Sequence, residues 1–266
     1  MSGPSPAPAP ALLPLRDRPL DATELERMRL LLSTFRDGSG QSVAAGYMPD
    51  YLAFERVTAY VCHGITTENK GIFDVTVPSG DHRLDFGISC KMTAVQPTTR
   101  PCWFMELSNS AKKFHDAFDA AGVDWRSQPA KAGPVMVELV ESWHRAVAGE
   151  VDLEGSKYLL LTHDSRWINF EIACFDLNLQ RFDAHTSVEW CTEGRNGVVS
   201  SLAGYIVEGS RRHRLWQFFG NSGGQLKYYP LIGWEEWRSG TFQLEEPPVH
   251  DLSKKVEEYW PGRWPK

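Results

Sequence analysis

The segment from Gly71 to Lys91, GIFDVTVPSGDHRLDFGISCK, constrains the fold more than any other stretch of this chain, because its residues spell out two strands and the turn between them. Ile72, Phe73, Val75, Thr76 and Val77 are β-formers, and Pro78-Ser79-Gly80-Asp81 is turn chemistry. Beyond the turn, Leu84, Phe86, Ile88 and Cys90 alternate with more polar residues. A period of two places Asp85, Gly87, Ser89 and Lys91 on one face of the second strand and the apolar residues on the other. The apolar face is expected to bury and the polar face to stay open. The hairpin delivers Asp74 and Lys91 to adjacent strands.

Helical spacing dominates the chain before and just after this hairpin. Asp21-Ala22-Thr23-Glu24 has the form of a capping box, and Leu25, Met28, Leu31, Leu32 and Phe35 follow at helical intervals until Gly38. A second helix is predicted from about Pro49 to Cys62, with Glu55 inside it. Leu107, Ala111, Phe114 and Phe118 predict a third, opened by Glu106 and stopped by Gly122. Pro134 to Val147 predicts a fourth. Residues 158–162, 167–177, 204–207, 214–219 and 226–229 read as strands.

The class predicted is therefore α/β in the broad sense, of the α+β kind: a mixed sheet flanked by helices, with a β-rich C-terminal half at about 155–245. Residues 1–19, rich in Pro, Ala and Ser, are expected to be a flexible arm, and residues 20–266 one domain.

Composition narrows the function classes. Hydrophobic residues at 42% with 12% aromatics supply a real core for 266 residues. The chain has no apolar run of about 18 residues or more, and its N-terminus lacks a secretory pattern, so a cytoplasmic protein with no membrane partner is expected. Five scattered cysteines without CxxC spacing argue against a disulfide framework and a structural zinc site. A net charge of −6 argues against a simple nucleic-acid coat protein. It leaves room for an enzyme whose carboxylates add negative charge while basic residues line one cleft.

Asp74, Lys91 and a further acid make a recognisable chemical set. Hydrolysing a phosphodiester takes a metal to neutralise the non-bridging oxygens, carboxylates to hold it, and a group that positions water. Asp74 and Glu106 are candidate Mg²⁺ ligands, with the peptide carbonyl of Cys90 completing an oxygen shell. Lys91 is the candidate water-positioning group, and Ser89 shares its face. Asp85 lies on that face too and competes with Glu106 for the second acid role.

This arrangement resembles the PD-(D/E)xK nuclease superfamily, in which an Asp starts one strand of a hairpin and a (D/E)xK triplet lies on the next. Sixteen residues separate Asp74 from Lys91, within the range such hairpins allow. Phe73 stands in place of the Pro, and Ser89-Cys90-Lys91 has Ser in place of the acid. A branch of that superfamily that includes type II restriction enzymes has this SxK triplet and draws the missing acid from a helix about a dozen residues on. Glu106, with 14 residues between it and Lys91, is the matching position. The superfamily often adds a Glu from the helix before the hairpin, which here is Glu55. The resemblance covers about residues 47–120, the expected catalytic core. It implies a Mg²⁺-dependent endodeoxyribonuclease, most simply a type II restriction enzyme, acting as a homodimer on double-stranded DNA and leaving a 5′-phosphate.

DNA contacts are expected from Ser108, Asn109, Ser110, Lys112 and Lys113, and from Arg211, Arg212, Gln225 and Lys227 further on. Two other classes compete. Gly220-Asn221-Ser222-Gly223-Gly224 looks like the nucleophile loop of trypsin-like serine proteases, with His63 upstream as base. A non-catalytic DNA- or protein-binding module is the other alternative.

Overall fold

Phe86–Ala94, the second strand of the expected hairpin, runs through the middle of the molecule. Val75–Val77 pairs with it antiparallel on one side and Lys157–His163 pairs with it parallel on the other. The computed structural model describes residues 12–67, 71–80, 84–95, 103–179, 187–209, 211–221, 223–248 and 251–265. In chain order the elements are α1 (Ala22–Thr34), β1 (Gln41–Val43), β2 (Gly46–Met48), α2 (Tyr51–Val61), β3 (Ile65–Thr66), β4 (Val75–Val77), β5 (Phe86–Ala94) and β6 (Met105–Ser108). There follow α3 (Ala111–Ala120), α4 (Pro129–Ala146), β7 (Lys157–His163), β8 (Phe170–Asp176), β9 (Val188–Arg195), β10 (Val198–Glu208), β11 (Arg211–Phe218), β12 (Leu226–Tyr228), β13 (Trp237–Arg238) and α5 (Leu252–Tyr259). The class is α+β, strand-rich in its C-terminal half, as the sequence predicts.

Two sheets carry the architecture. The six-stranded sheet has the order β13-β8-β7-β5-β4-β3 and is antiparallel except between β5 and β7; the five-stranded sheet, order β6-β12-β11-β10-β9, is antiparallel throughout. Each face of the six-stranded sheet has its own core. Phe86, Ile88, Cys90, Leu159 and Leu161 point toward Met28 and Leu32 of α1 and Phe54 and Val57 of α2. Tyr158 and Leu160 point the other way, onto Phe114 and Phe118 of α3, Met136 and Val140 of α4, and Trp216 and Phe218 of the second sheet. β7 is buried along its whole length, as expected of a strand covered on both sides.

That second cover is what the hairpin pattern did not show. Gly87 and Ser89, expected to stay open, are buried, while Leu84, expected to bury, is 47% exposed because β5 begins only at Phe86. Gly87 has to be glycine: the Phe73 ring lies so close that an added Cβ would sit 2.1 Å from its Cγ.

The helices begin as their caps dictate. Asp21 and Glu24 form a reciprocal capping box, and the Asp50 carboxylate accepts from the Ala53 amide to open α2. The third helix departs from expectation. It starts at Ala111, and Glu106 and Leu107 lie on β6. α4 starts at Pro129, five residues before the proline expected to open it. Residues 12–19, expected to belong to a flexible arm, are docked: Leu15 is buried with Leu20 in the α1–α2 core and the Arg16 guanidinium pairs with Asp152 at 2.5 Å, while residues 1–11 lie outside the described residues. Leu15 and an ion pair dock residues that Pro-rich composition marked as free.

Candidate active site

Asp74 stands one residue ahead of β4, across from Ser89. The register Val75↔Ile88 extends to that pair, so both side chains leave on the same sheet face, with Lys91 two residues further along it. The backbone here is pinned on both sides. The Asp74 amide donates to the Ile88 carbonyl at 3.0 Å, its carbonyl accepts from the Thr67 amide at 3.1 Å, and the Thr67 hydroxyl donates to the Phe73 carbonyl at 2.6 Å.

Three donors converge on one oxygen. Oδ2 of Asp74 accepts from the Cys90 amide at 2.7 Å, from Ser89 Oγ at 3.3 Å and from Lys91 Nζ at 3.3 Å. No donor among the described residues reaches Oδ1, which is left as an acceptor. The amide and carbonyl of one strand residue leave on the same side of the strand, so the Cys90 carbonyl is directed toward Asp74 as well. The Cys90 thiol points the opposite way into the α2 core, where burial holds it protonated.

Glu55 completes the charge pattern. Burial and the negative charge of Asp74 push its pKa up to about 7, and Lys91 opposes the shift. A carboxylate whose proton affinity is raised by a second carboxylate nearby marks a place where a cation lowers the energy. Asp74 Oδ1, Glu55 and the Cys90 carbonyl are all oxygen donors, the set that suits Mg²⁺, which is usually held by one or two carboxylates plus water and substrate phosphate. Among the described residues no cluster of three or more His, Cys, Asp or Glu side chains is placed to hold a metal.

The site opens into a cleft of about 340 Å³ between the two sheets. Asp74, Ser89 and Lys91 form one wall, Leu107, Ser108 and Lys113 another, and Trp143, His144 and Tyr158 the floor. Tyr158 is the β7 partner of Ser89, and its hydroxyl lies 3.0 Å from His144 Nε2. Burial lowers the His144 pKa, while burial and the charge of Asp74 raise that of Tyr158, so both stay neutral at physiological pH. Their sequence positions carry no motif. The parallel pairing of β5 with β7 brings Tyr158 here, and the packing of α4 brings His144 to its hydroxyl.

Two expected ligands are corrected. Glu106 does not line the cleft: its register partner is Lys227, on the sheet face opposite buried Leu226 and Tyr228, so the carboxylate faces away from the core. Asp85 lies six residues before Lys91, about 20 Å along an extended chain, and accepts from the Ser79 amide at 3.2 Å beside the turn. The second acid near Asp74 is Glu55.

The expected DNA contacts divide. Ser108 and Lys113 line the cleft; Asn109, Ser110 and Lys112 flank them on the β6–α3 junction, with Lys112 paired to Asp116 at 2.5 Å. Arg211 and Arg212 lie on β11, two strands over from β6, and Arg212 pairs with Glu189 at 3.4 Å. Lys227 rests over the Phe104 ring at 4.5 Å, and Gln225 accepts the Phe219 amide through its carbonyl. These four do not line the cleft.

The glycine loop has a structural use. Gly224, at φ +74, packs against the first residue of α3, where a Cβ would come within 2.0 Å of Ala111 Cα. Ser222 lies outside the described residues. His63 follows α2, on the other side of the six-stranded sheet from α3, so the structure does not bring loop and histidine together. Among the described residues no helix is long and apolar enough to cross a membrane. Comparison with family models, with curated proteins and with solved structures finds no match to this chain.

Proposed function

We propose that the protein is a Mg²⁺-dependent endodeoxyribonuclease. The observation that carries this reading is the convergence of Ser89, the Cys90 amide and Lys91 on one oxygen of Asp74, with Glu55 coupled electrostatically to the same carboxylate. Asp74, Glu55 and the Cys90 carbonyl would hold Mg²⁺, which when bound supplies charge neutralisation at the non-bridging phosphate oxygens.

The chain's own groups do the rest. Lys91 has three N–H donors and Asp74 takes one, leaving two for the attacking water and a phosphate oxygen. Asp74 holds that ammonium in place, and the Cys90 amide holds Asp74. Ser89, within reach of the same carboxylate oxygen, orients a neighbouring water. Lys113 and Ser108, across the cleft, meet the substrate backbone.

In its fuller form the proposal is a type II restriction enzyme in the cytoplasm. Each site cuts one strand, so a symmetric double-strand cut is most simply made by a two-fold homodimer. Resemblance to the SxK branch of the PD-(D/E)xK superfamily supports that form and a 5′-phosphate product. The test is incubation with large unmethylated phage DNA and Mg²⁺. Discrete fragments that disappear with EDTA are expected, and intact DNA across a range of Mg²⁺ concentrations would contradict the reading.

A further inference from the structure

The cleft contains more than phosphate chemistry needs. Water, metal and phosphate call for oxygen and nitrogen groups, which Asp74, Ser89 and Lys91 supply, yet the adjoining walls are apolar and aromatic: Ile72, Leu107, Val140, Trp143, Val147 and Tyr158. The Trp143 indole is half-buried, with Phe114 edge-on at 5.8 Å and Lys113 Nζ over its ring at 5.1 Å. An intact duplex presents sugar and phosphate on its outside and would leave such walls facing water. At about 340 Å³ the cleft is near the lower end of pockets that enclose one small organic group.

The apolar, planar part of a DNA strand is its base, and a base becomes available only when unpaired. We infer that the cleft takes a single unpaired nucleotide, its base stacked on Trp143, its phosphate beside Lys91, and Lys113 serving as the second cation. This rests on the nuclease reading and names its substrate class. The nucleotide can come from single-stranded DNA or be turned out of a duplex, and the two sources share the same recognition chemistry.

The experiment measures binding in EDTA and cleavage in Mg²⁺ for three substrates of one sequence: a single strand, a perfect duplex, and a duplex with one bulged nucleotide. Each carries 2-aminopurine at the test position. Trp143→Ala is expected to weaken binding of the single strand about ten-fold, with Trp143→Phe restoring most of the loss. Lys113→Ala, at an exposed position that does not endanger folding, is expected to lower the salt slope of single-strand binding by about 0.7.

A change in 2-aminopurine emission in the single strand and the bulge supports the pocket with nucleotides already unpaired. A change in the perfect duplex as well supports it with a nucleotide turned out. Trp143→Ala without effect on single-strand and bulge binding, or unchanged emission in all three, overturns the inference even if DNA is cut. Emission changes with no cleavage of any substrate would instead remove the nuclease reading and leave the pocket in place.

Discussion

The Cys90 backbone amide donates a 2.7 Å hydrogen bond to Oδ2 of Asp74, and this bond joins the start of one strand to the middle of the next. Its consequence is orientation. An aspartate ahead of a strand is ordinarily free to rotate, but here one oxygen is held by an amide that cannot move without breaking the sheet. The same oxygen also anchors Lys91 at 3.3 Å, so acid and ammonium share one fixed point. Held this way, Oδ1 is the part of Asp74 left for a substrate or an ion.

Glu55 makes the site sensitive to pH. Its pKa of about 7, raised from 4.5 mainly by burial, means that a proton competes with any cation near neutrality. Apparent Mg²⁺ affinity is expected to rise about ten-fold from pH 6 to pH 8, and Glu55→Gln to abolish that dependence. Isothermal titration across pH checks it. The stability sign is opposite. The folded state binds the Glu55 proton more tightly than the unfolded state does. The metal-free protein should therefore lose stability as pH rises from about 4.5 through about 7. Thermal melts of Glu55→Gln should lack that part of the slope.

Gly87 and Phe73 form a packing pair behind the site. Gly87→Ala would force the Phe73 ring aside and is expected to destabilise the fold by about 1–3 kcal/mol, with Asp74 misplaced along with its neighbour. Phe73→Leu in the Gly87→Ala background should recover part of the loss. A double-mutant cycle from denaturant midpoints reads the coupling, and additive effects would mean that the two residues do not meet.

Glu106 is expected to matter little to cleavage. It faces Lys227 across β6 and β12, an outward cross-strand pair worth about 0.2–1 kcal/mol. Glu106→Gln should cut DNA at close to the wild-type rate, while Glu55→Gln should lose most activity at limiting Mg²⁺. The opposite order in a metal titration of cleavage would restore Glu106 as the ligand.

Local rules made part of this legible. The Asp21–Glu24 capping box, a helix beginning near Pro49, and the common face of Ser89 and Lys91 follow from spacing alone, and the last of these sets Lys91 beside Asp74. The acid after Lys91 was misplaced because Leu107 continues the stripe of Ala111, Phe114 and Phe118. It reaches the same core as that helix, but from a strand. Apolar spacing alone does not distinguish those two routes to one core. Trp143, His144 and Tyr158 carry no local signal for another reason: Tyr158 joins the cleft through the pairing of β5 with β7, across more than 60 residues of chain, and Trp143 and His144 through the packing of α4 against α3 and Tyr158. Leu15 was hidden by the prolines around it.

The most direct test is single-turnover cleavage of DNA by Lys91→Ala and Asp74→Asn, each confirmed as folded by circular dichroism, beside a measurement of DNA retention without metal. The account predicts that Mg²⁺-dependent cleavage falls about 10²–10⁴-fold in each variant while retention stays within a few-fold of wild type. Cleavage at the wild-type rate in either variant would contradict it.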